Sequence, residues 1–181
     1  MVARGDTAAA DTDEAGRALA EMPYGMYIVG SRTGTDLNGM MADWVTQVSF
    51  RPRLLAVALE KDTRTLQNMR ETDVFTVNLL AEDSEALASK FAQPYYGSKI
   101  RGRGVPAAAE IHHKLEDVDH RLGEETACPI LDGTLAWFEC RVEDFLPIGD
   151  HVLVVGRVLN AGVDRDAEPL TSQITGWVYS G

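Results

Sequence analysis

The alternation of hydrophobic and polar positions along the chain predicts strands more often than helices. Residues 24–31 are apolar and rich in β-formers, and a Thr33-Gly34-Thr35-Asp36 turn follows them. Residues 37–50 predict one long strand kinked at Gly39, ended by Arg51-Pro52-Arg53. The unbroken apolar run 54–59 suits a strand covered on both faces. Further strands are predicted at 74–80, 115–122, 134–145 and 151–163, with a short last one at 176–179. Pro147-Ile148-Gly149-Asp150 joins the two longest. Helical spacing is confined to 11–21, to 65–71 behind a cap at or beside Thr63, and to 83–91, where Leu87 and Phe91 share a face. Residues 93–106 hold two prolines and three glycines and predict a long loop, a kind of segment that often carries function.

Strands in turn-linked pairs with few helices between them point to an antiparallel barrel rather than a doubly wound parallel sheet. Closing such a sheet also removes exposed edges. The 181 residues suit one domain. Residues 1–20 read as an N-terminal extension with a short helix, and 21–181 as the domain itself. Neither repeats nor low-complexity tracts interrupt it.

Charge and composition narrow the function. The net charge of −11, with no basic run, argues against a nucleic-acid partner. No apolar stretch approaches the roughly 20 residues that span a bilayer, which argues against a membrane partner. Residues 1–21 carry five acidic side chains and lack the basic start and apolar middle of a signal peptide, so the expected location is cytoplasmic. Cys128 and Cys140 have no CxxC spacing and read as reduced thiols, Cys140 as core filler.

The stretch from Asn38 to Pro52 is the most informative. Asn38, Asp43, Thr46, Gln47 and Ser49 are set among Met41, Ala42, Trp44, Val45 and Val48. A strand that only packs a core has no use for so many amides and hydroxyls. Either a planar polar ligand satisfies them, or the segment is a polar edge strand. Asn38-Gly39, Ala42-Asp43-Trp44 and Ser49-Phe50-Arg51-Pro52 resemble the flavin-lining strand of the flavin reductase-like family, the FMN-binding split barrels. Tyr24-Gly25-Met26-Tyr27, Glu60-Lys61-Asp62-Thr63-Arg64-Thr65, the strand Val74-Phe75-Thr76-Val77-Asn78-Leu79-Leu80, and Gly149-Asp150-His151 ahead of Val155-Gly156-Arg157-Val158 follow in the family's order. The likeness covers residues 24–158.

That resemblance implies a mainly β fold: a six-stranded antiparallel split β-barrel with short flanking helices, working as a homodimer. It implies FMN as the flavin, with FAD as the alternative, and NADH or NADPH as electron donor. The implied activity is NAD(P)H:flavin oxidoreduction, with hydride passing from nicotinamide to flavin and reduced flavin going to a partner monooxygenase or redox protein. A flavin-binding electron carrier and a non-catalytic scaffold subunit are the other readings. Met41, Ala42 and Trp44 would wall the ring, while Asn38 and the backbone from Asp43 to Thr46 would meet its polar rim. Thr46, Gln47 and Ser49 would reach the ribityl chain or phosphate. Lys61, Thr63 and Thr65 would hold the phosphate at a helix start, against the alternative that Lys61 and Arg64 form a solvated turn. Tyr95 or Tyr96 would cover the ring, or serve as dimer contacts. His151 would contact the nicotinamide, or be structural. Asp43 stands where the family usually has Asn. A carboxylate only accepts hydrogen bonds, so Asp43 either faces away from the ring or tunes its potential.

Two other signals fail on context. Gly102, Gly104 and Ala107 imitate a dinucleotide fingerprint, but no strand precedes them and Pro106 interrupts them. His112, His113, Glu116 and His120 suggest a metal, yet adjacent histidines on a strand point to opposite faces, and a solvated polar face is the expectation.

Overall fold

The computed structural model describes residues 14–92 and 113–177. A seven-stranded antiparallel sheet dominates it, built from β1 (Tyr27–Thr33), β2 (Asp36–Ala42), β3 (Val45–Phe50), β4 (Arg53–Glu60), β5 (Val74–Leu79), β8 (Ala136–Ile148) and β9 (His151–Val163). A small separate ladder pairs β6 (His120–Leu122) with β7 (Pro129–Leu131). The helices are short: α1 (Glu14–Leu19), α2 (Arg64–Thr72), α3 (Glu85–Phe91) and α4 (Ser172–Thr175).

The strand order is β2-β1-β5-β8-β9-β4-β3. Its two outer strands, β2 and β3, are consecutive in sequence and joined only by Asp43 and Trp44. A two-residue link cannot cross a flat sheet of seven strands, which lie nearly 5 Å apart. The sheet therefore curls until its edges meet at this corner, and they part again because no ladder joins β2 to β3. That is a split barrel, the expected architecture.

The single strand expected at 37–50 is thus two strands, and the main sheet has seven members rather than six. The break falls at Asp43-Trp44 and not at Gly39. Gly39 stays in register opposite Gly30, and its missing side chain serves close packing: a Cβ there would lie 2.3 Å from the Phe91 ring. The partner changes at the corner, from β1 to β4. Alternation cannot reveal this, because the chain remains extended on both sides.

Alternate residues of the strands feed two cores. Val29, Val57, Phe75, Val77, Val152 and Val154 fill the barrel, and Leu66 and Met69 of α2 close it. On the outer face Met26, Ile28 and Leu80 pack under Ala88 and Phe91 of α3, with Leu131 of β7. Thr63 caps α2 as the sequence predicts, its hydroxyl accepting from the Leu66 amide at 3.3 Å. Asp73 ends the helix in a left-handed conformation.

Two expectations near the C-terminal half change, and one strand there is unforeseen. Of the strand expected at 115–122 only β6 forms; Lys114 to Asp117 make a turn, with Asp117 at φ 57°. β7 is three residues long and begins at a proline, too short for a periodic signal. Where 176–179 predict a strand, α4 ends at a left-handed Gly176, and residues 178 and 179 lie outside the described residues.

Two buried charges hold loops in place. Glu139 is fully buried on β8; its Oε1 accepts from the amides of Glu125 (3.0 Å) and Thr126 (2.9 Å) and the Thr126 hydroxyl (2.8 Å). Its Oε2 accepts from Asn160 at 3.1 Å. Lys114 is buried and donates to the Phe91 carbonyl at 3.0 Å, capping α3, while Lys90 donates to the Glu116 carbonyl.

Burial lowers the Lys114 pKa to about 8. The folded chain then binds this proton less tightly than the unfolded chain, so the penalty is full below the folded value and disappears as pH rises toward the unfolded one. Cys128 and Cys140, pushed up to about 12 by burial, act oppositely above their unfolded value, because only the unfolded chain releases their protons. In the wild-type curve the loss from the thiols opposes the gain from the lysine. The difference between wild type and Lys114→Met isolates the lysine. Urea unfolding should show wild type gaining about 2 kcal/mol relative to the variant between roughly pH 7.5 and 9.5. A pH-independent difference would contradict a buried, depressed Lys114.

Candidate functional site

The corner that closes the barrel also gathers its chemistry. The Asp43 carbonyl accepts from the Val45 amide at 3.1 Å, and the Trp44 carbonyl accepts from Ala58 of β4 at 3.0 Å. The turn is thereby fixed against the neighbouring strand. Trp44 remains 37% exposed. It lies 4.9 Å from the His151 imidazole and 6.4 Å from the Tyr24 ring, centroid to centroid. Three rings from three separate segments thus meet at the corner: the β2–β3 link, the start of β9, and the approach to β1.

His151 is buried, and its Nδ1 lies 2.7 Å from Asp150 Oδ1. The hydrogen bond to His151, more than any other contact, holds the exposed Asp150 carboxyl below the usual carboxylate range. Lys61 Nζ donates to the Gly149 carbonyl at 2.6 Å, tying the β4–α2 turn to the β8–β9 turn. Asp43 is also buried, and burial raises its pKa. Hydrogen bonds from its own amide and that of Trp44, and the charge of His151, pull the other way. The site is therefore an aromatic wall with an imidazole in the field of two carboxylates and a lysine at its margin.

The predicted residues divide by position. Asp43, Trp44, Lys61 and His151 come together here. Thr46 and Gln47 are exposed and Ser49 is half-buried on β3, which among the described residues is an edge strand paired with β4. Gln47 donates to the Ser49 carbonyl at 3.1 Å. Met41 and Ala42 point to opposite faces: Met41 packs on the outer core and Ala42 within the barrel, so the two do not form one wall. Asn38 and Thr65 are buried and satisfy each other, Asn38 donating to the Thr65 hydroxyl at 3.0 Å. Asn68 donates to Ser31 beside them at 3.1 Å. These pairs staple α2 onto β1 and β2. Thr65 lies inside the first turn of α2 rather than ahead of it, and Thr63 is engaged as the cap. Tyr95 and Tyr96 lie outside the described residues.

Sequence reasoning left out Asp150, Tyr24 and the Gly149 carbonyl. The signal for all three was in the motifs already singled out, since Asp150 directly precedes His151 and Tyr24 opens the entry segment. Their roles depend on which turns meet, and local pattern does not encode that.

The Rhizobium meliloti (strain 1021) protein named a probable flavin reductase is 34% identical over 66% of this chain, and the chain spans 33% of that relative's length. A Streptomyces globisporus NADH-dependent FAD reductase is 30% identical over 80% of this chain and 72% of its own. Among solved structures, the Streptomyces globisporus NADH:FAD oxidoreductase superposes with a TM-score of 0.73 at 25% identity, covering 94% of this chain and 89% of that one. The flavin reductase component of a bacterial two-component tryptophan halogenase superposes with a TM-score of 0.70 at 27% identity, covering 85% and 88%. The model of the flavin reductase like domain matches residues 19–175, and the chain belongs to that family.

Proposed function

We propose that this protein is an NAD(P)H-dependent flavin reductase that moves hydride from nicotinamide to FMN and passes reduced flavin to a partner monooxygenase. The observation that carries this reading is the barrel corner, where exposed Trp44 stands beside buried His151 with Lys61 at the adjoining turn. When bound, the flavin supplies the hydride-accepting chemistry, and the protein supplies position and field.

The residues present suit such a group. Trp44 offers a flat apolar face, and Thr46, Gln47 and Ser49 offer hydroxyl and amide groups along one accessible strand. The first turn of α2 has no acidic residue and follows Lys61, which suits a phosphate. In this reading Asn38 and Thr65 frame the site, Thr63 fixes the helix start, and His151 orients the nicotinamide. The Streptomyces globisporus relative is named for NADH, and NADH is the donor we assign. Lys61→Ala should weaken FMN affinity about tenfold, the scale of one charge-assisted contact. Fluorescence quenching with FMN and FAD measures this, and unchanged affinity would remove Lys61 from the phosphate role.

The protein works as a homodimer in this reading. Among the described residues β3 has an unpaired edge, and its Val48 (50% exposed) and Phe50 (82% exposed) present apolar surface beside it. Phe50→Asp should shift the protein from dimer to monomer in sedimentation velocity; an unchanged dimer would place the interface elsewhere. The domain proper starts near residue 21, in keeping with the absence of buried residues in α1. The two free buried thiols suit a reducing compartment, and we place the protein in the cytoplasm. Among the described residues, no helix is long and apolar enough to cross a membrane.

A further inference from the structure

We propose that Asp43 sets the redox-state preference of the site: its buried carboxylate weakens binding of reduced flavin relative to oxidised flavin, so that the product leaves once hydride has been delivered. This rests on the flavin-reductase reading above.

Asp43 is one of two residues in the link between the barrel edges, is 9% exposed, and is followed by Trp44, the aromatic wall of the site. Its position is fixed by the backbone contacts of the link, so its charge cannot swing away from the corner. Among the described residues, charged groups adjoin it from β9, from β4 and from two turns. His151 comes from β9, with Glu60 of β4 opposite it in the ladder. Asp150 and Lys61 belong to the two adjoining turns, where both are exposed and screened by water. Tyr24 approaches Trp44 from the segment before β1. Asp43 is thus a buried carboxyl of the corner, and the nearby His151 acts in favour of its charged form.

The reaction changes the charge of what binds there. Hydride leaves C4 of the nicotinamide with both bonding electrons and bonds to N5 of the flavin. The nicotinamide ring goes from neutral to cationic and the isoalloxazine from neutral to anionic, with no net proton taken up. A buried carboxylate acts on that new negative charge over several ångströms because little water intervenes, and direct contact with the ring is not required. Oxidised flavin, whose ring is neutral, is hardly affected. The carboxylate therefore discriminates between substrate and product, as suits an enzyme whose reduced flavin must reach another protein.

The test compares dissociation constants of oxidised FMN and of dithionite-reduced FMN, the latter under anaerobic conditions, for wild type, Asp43→Asn and Asp43→Ser. Asparagine preserves size and can still accept the Trp44 amide. Serine provides a second neutral variant if asparagine disturbs folding. Wild type should bind oxidised FMN more tightly than reduced FMN. Both neutral variants should narrow that ratio about tenfold, chiefly through tighter binding of reduced FMN. An unchanged ratio in variants that still bind oxidised FMN would overturn the role of Asp43 and leave the reductase reading intact. If wild type binds neither form, the reductase reading itself fails, and this inference with it.

Discussion

His151→Asn should lower kcat/KM for NADH about 100-fold while leaving FMN affinity within about threefold, the loss expected when a reacting pair is misplaced by about an ångström. The imidazole is held by Asp150 at Nδ1 and by the Trp44 face, so its orientation is determined from two directions. Asparagine keeps a polar group but loses the ring that lies against Trp44. Hydride transfer needs no side-chain acid or base, and the loss therefore reports orientation of the nicotinamide rather than a missing proton carrier. Steady-state NADH oxidation and flavin fluorescence titration separate the two parameters. A kcat/KM within threefold of wild type would make His151 a structural residue.

Glu139→Leu should destabilise the fold by about 4 kcal/mol, because three donors lose a buried acceptor at roughly 1–3 kcal/mol each. Those donors are the amides of Glu125 and Thr126 and the Thr126 hydroxyl, and the Asn160 amide loses Oε2 as well. Glutamine is a graded control. It keeps one oxygen for the loop but turns an amide toward Asn160, whose own Oδ1 already accepts from Ala161. Glu139→Gln should therefore cost about 1–2 kcal/mol, less than the leucine variant. Urea unfolding at neutral pH measures both. A leucine variant as stable as wild type would mean that the 123–128 loop does not depend on this carboxylate.

Much of the fold was legible because its long strands alternate cleanly. The β8–β9 hairpin and the cap at Thr63 follow from local chemistry. The corner was not legible. Residues 36–42 and 45–50 are both extended, and what changes across the Asp43-Trp44 bend is the pairing partner, which is a long-range fact. The site shows the same division. Trp44, Lys61 and His151 were named from motif, and the structure brings them together. Asn38 and Thr65 also read as ligand-binding polar residues, yet they satisfy each other beneath α2, because a buried amide is content with any good partner. The motif groups Met41 and Ala42 as one surface, whereas strand geometry sends these neighbours to opposite faces.

In the proposed function the corner between β2 and β3 holds flavin where a nicotinamide can reduce it. Anaerobic rapid mixing of the purified protein and FMN with NADH, and separately with NADPH, tests it most directly. The yellow absorbance of oxidised flavin should bleach at a rate that rises with protein concentration and falls in His151→Asn. Flavin that stays yellow with both donors, at protein concentrations where FMN is bound, would contradict the account.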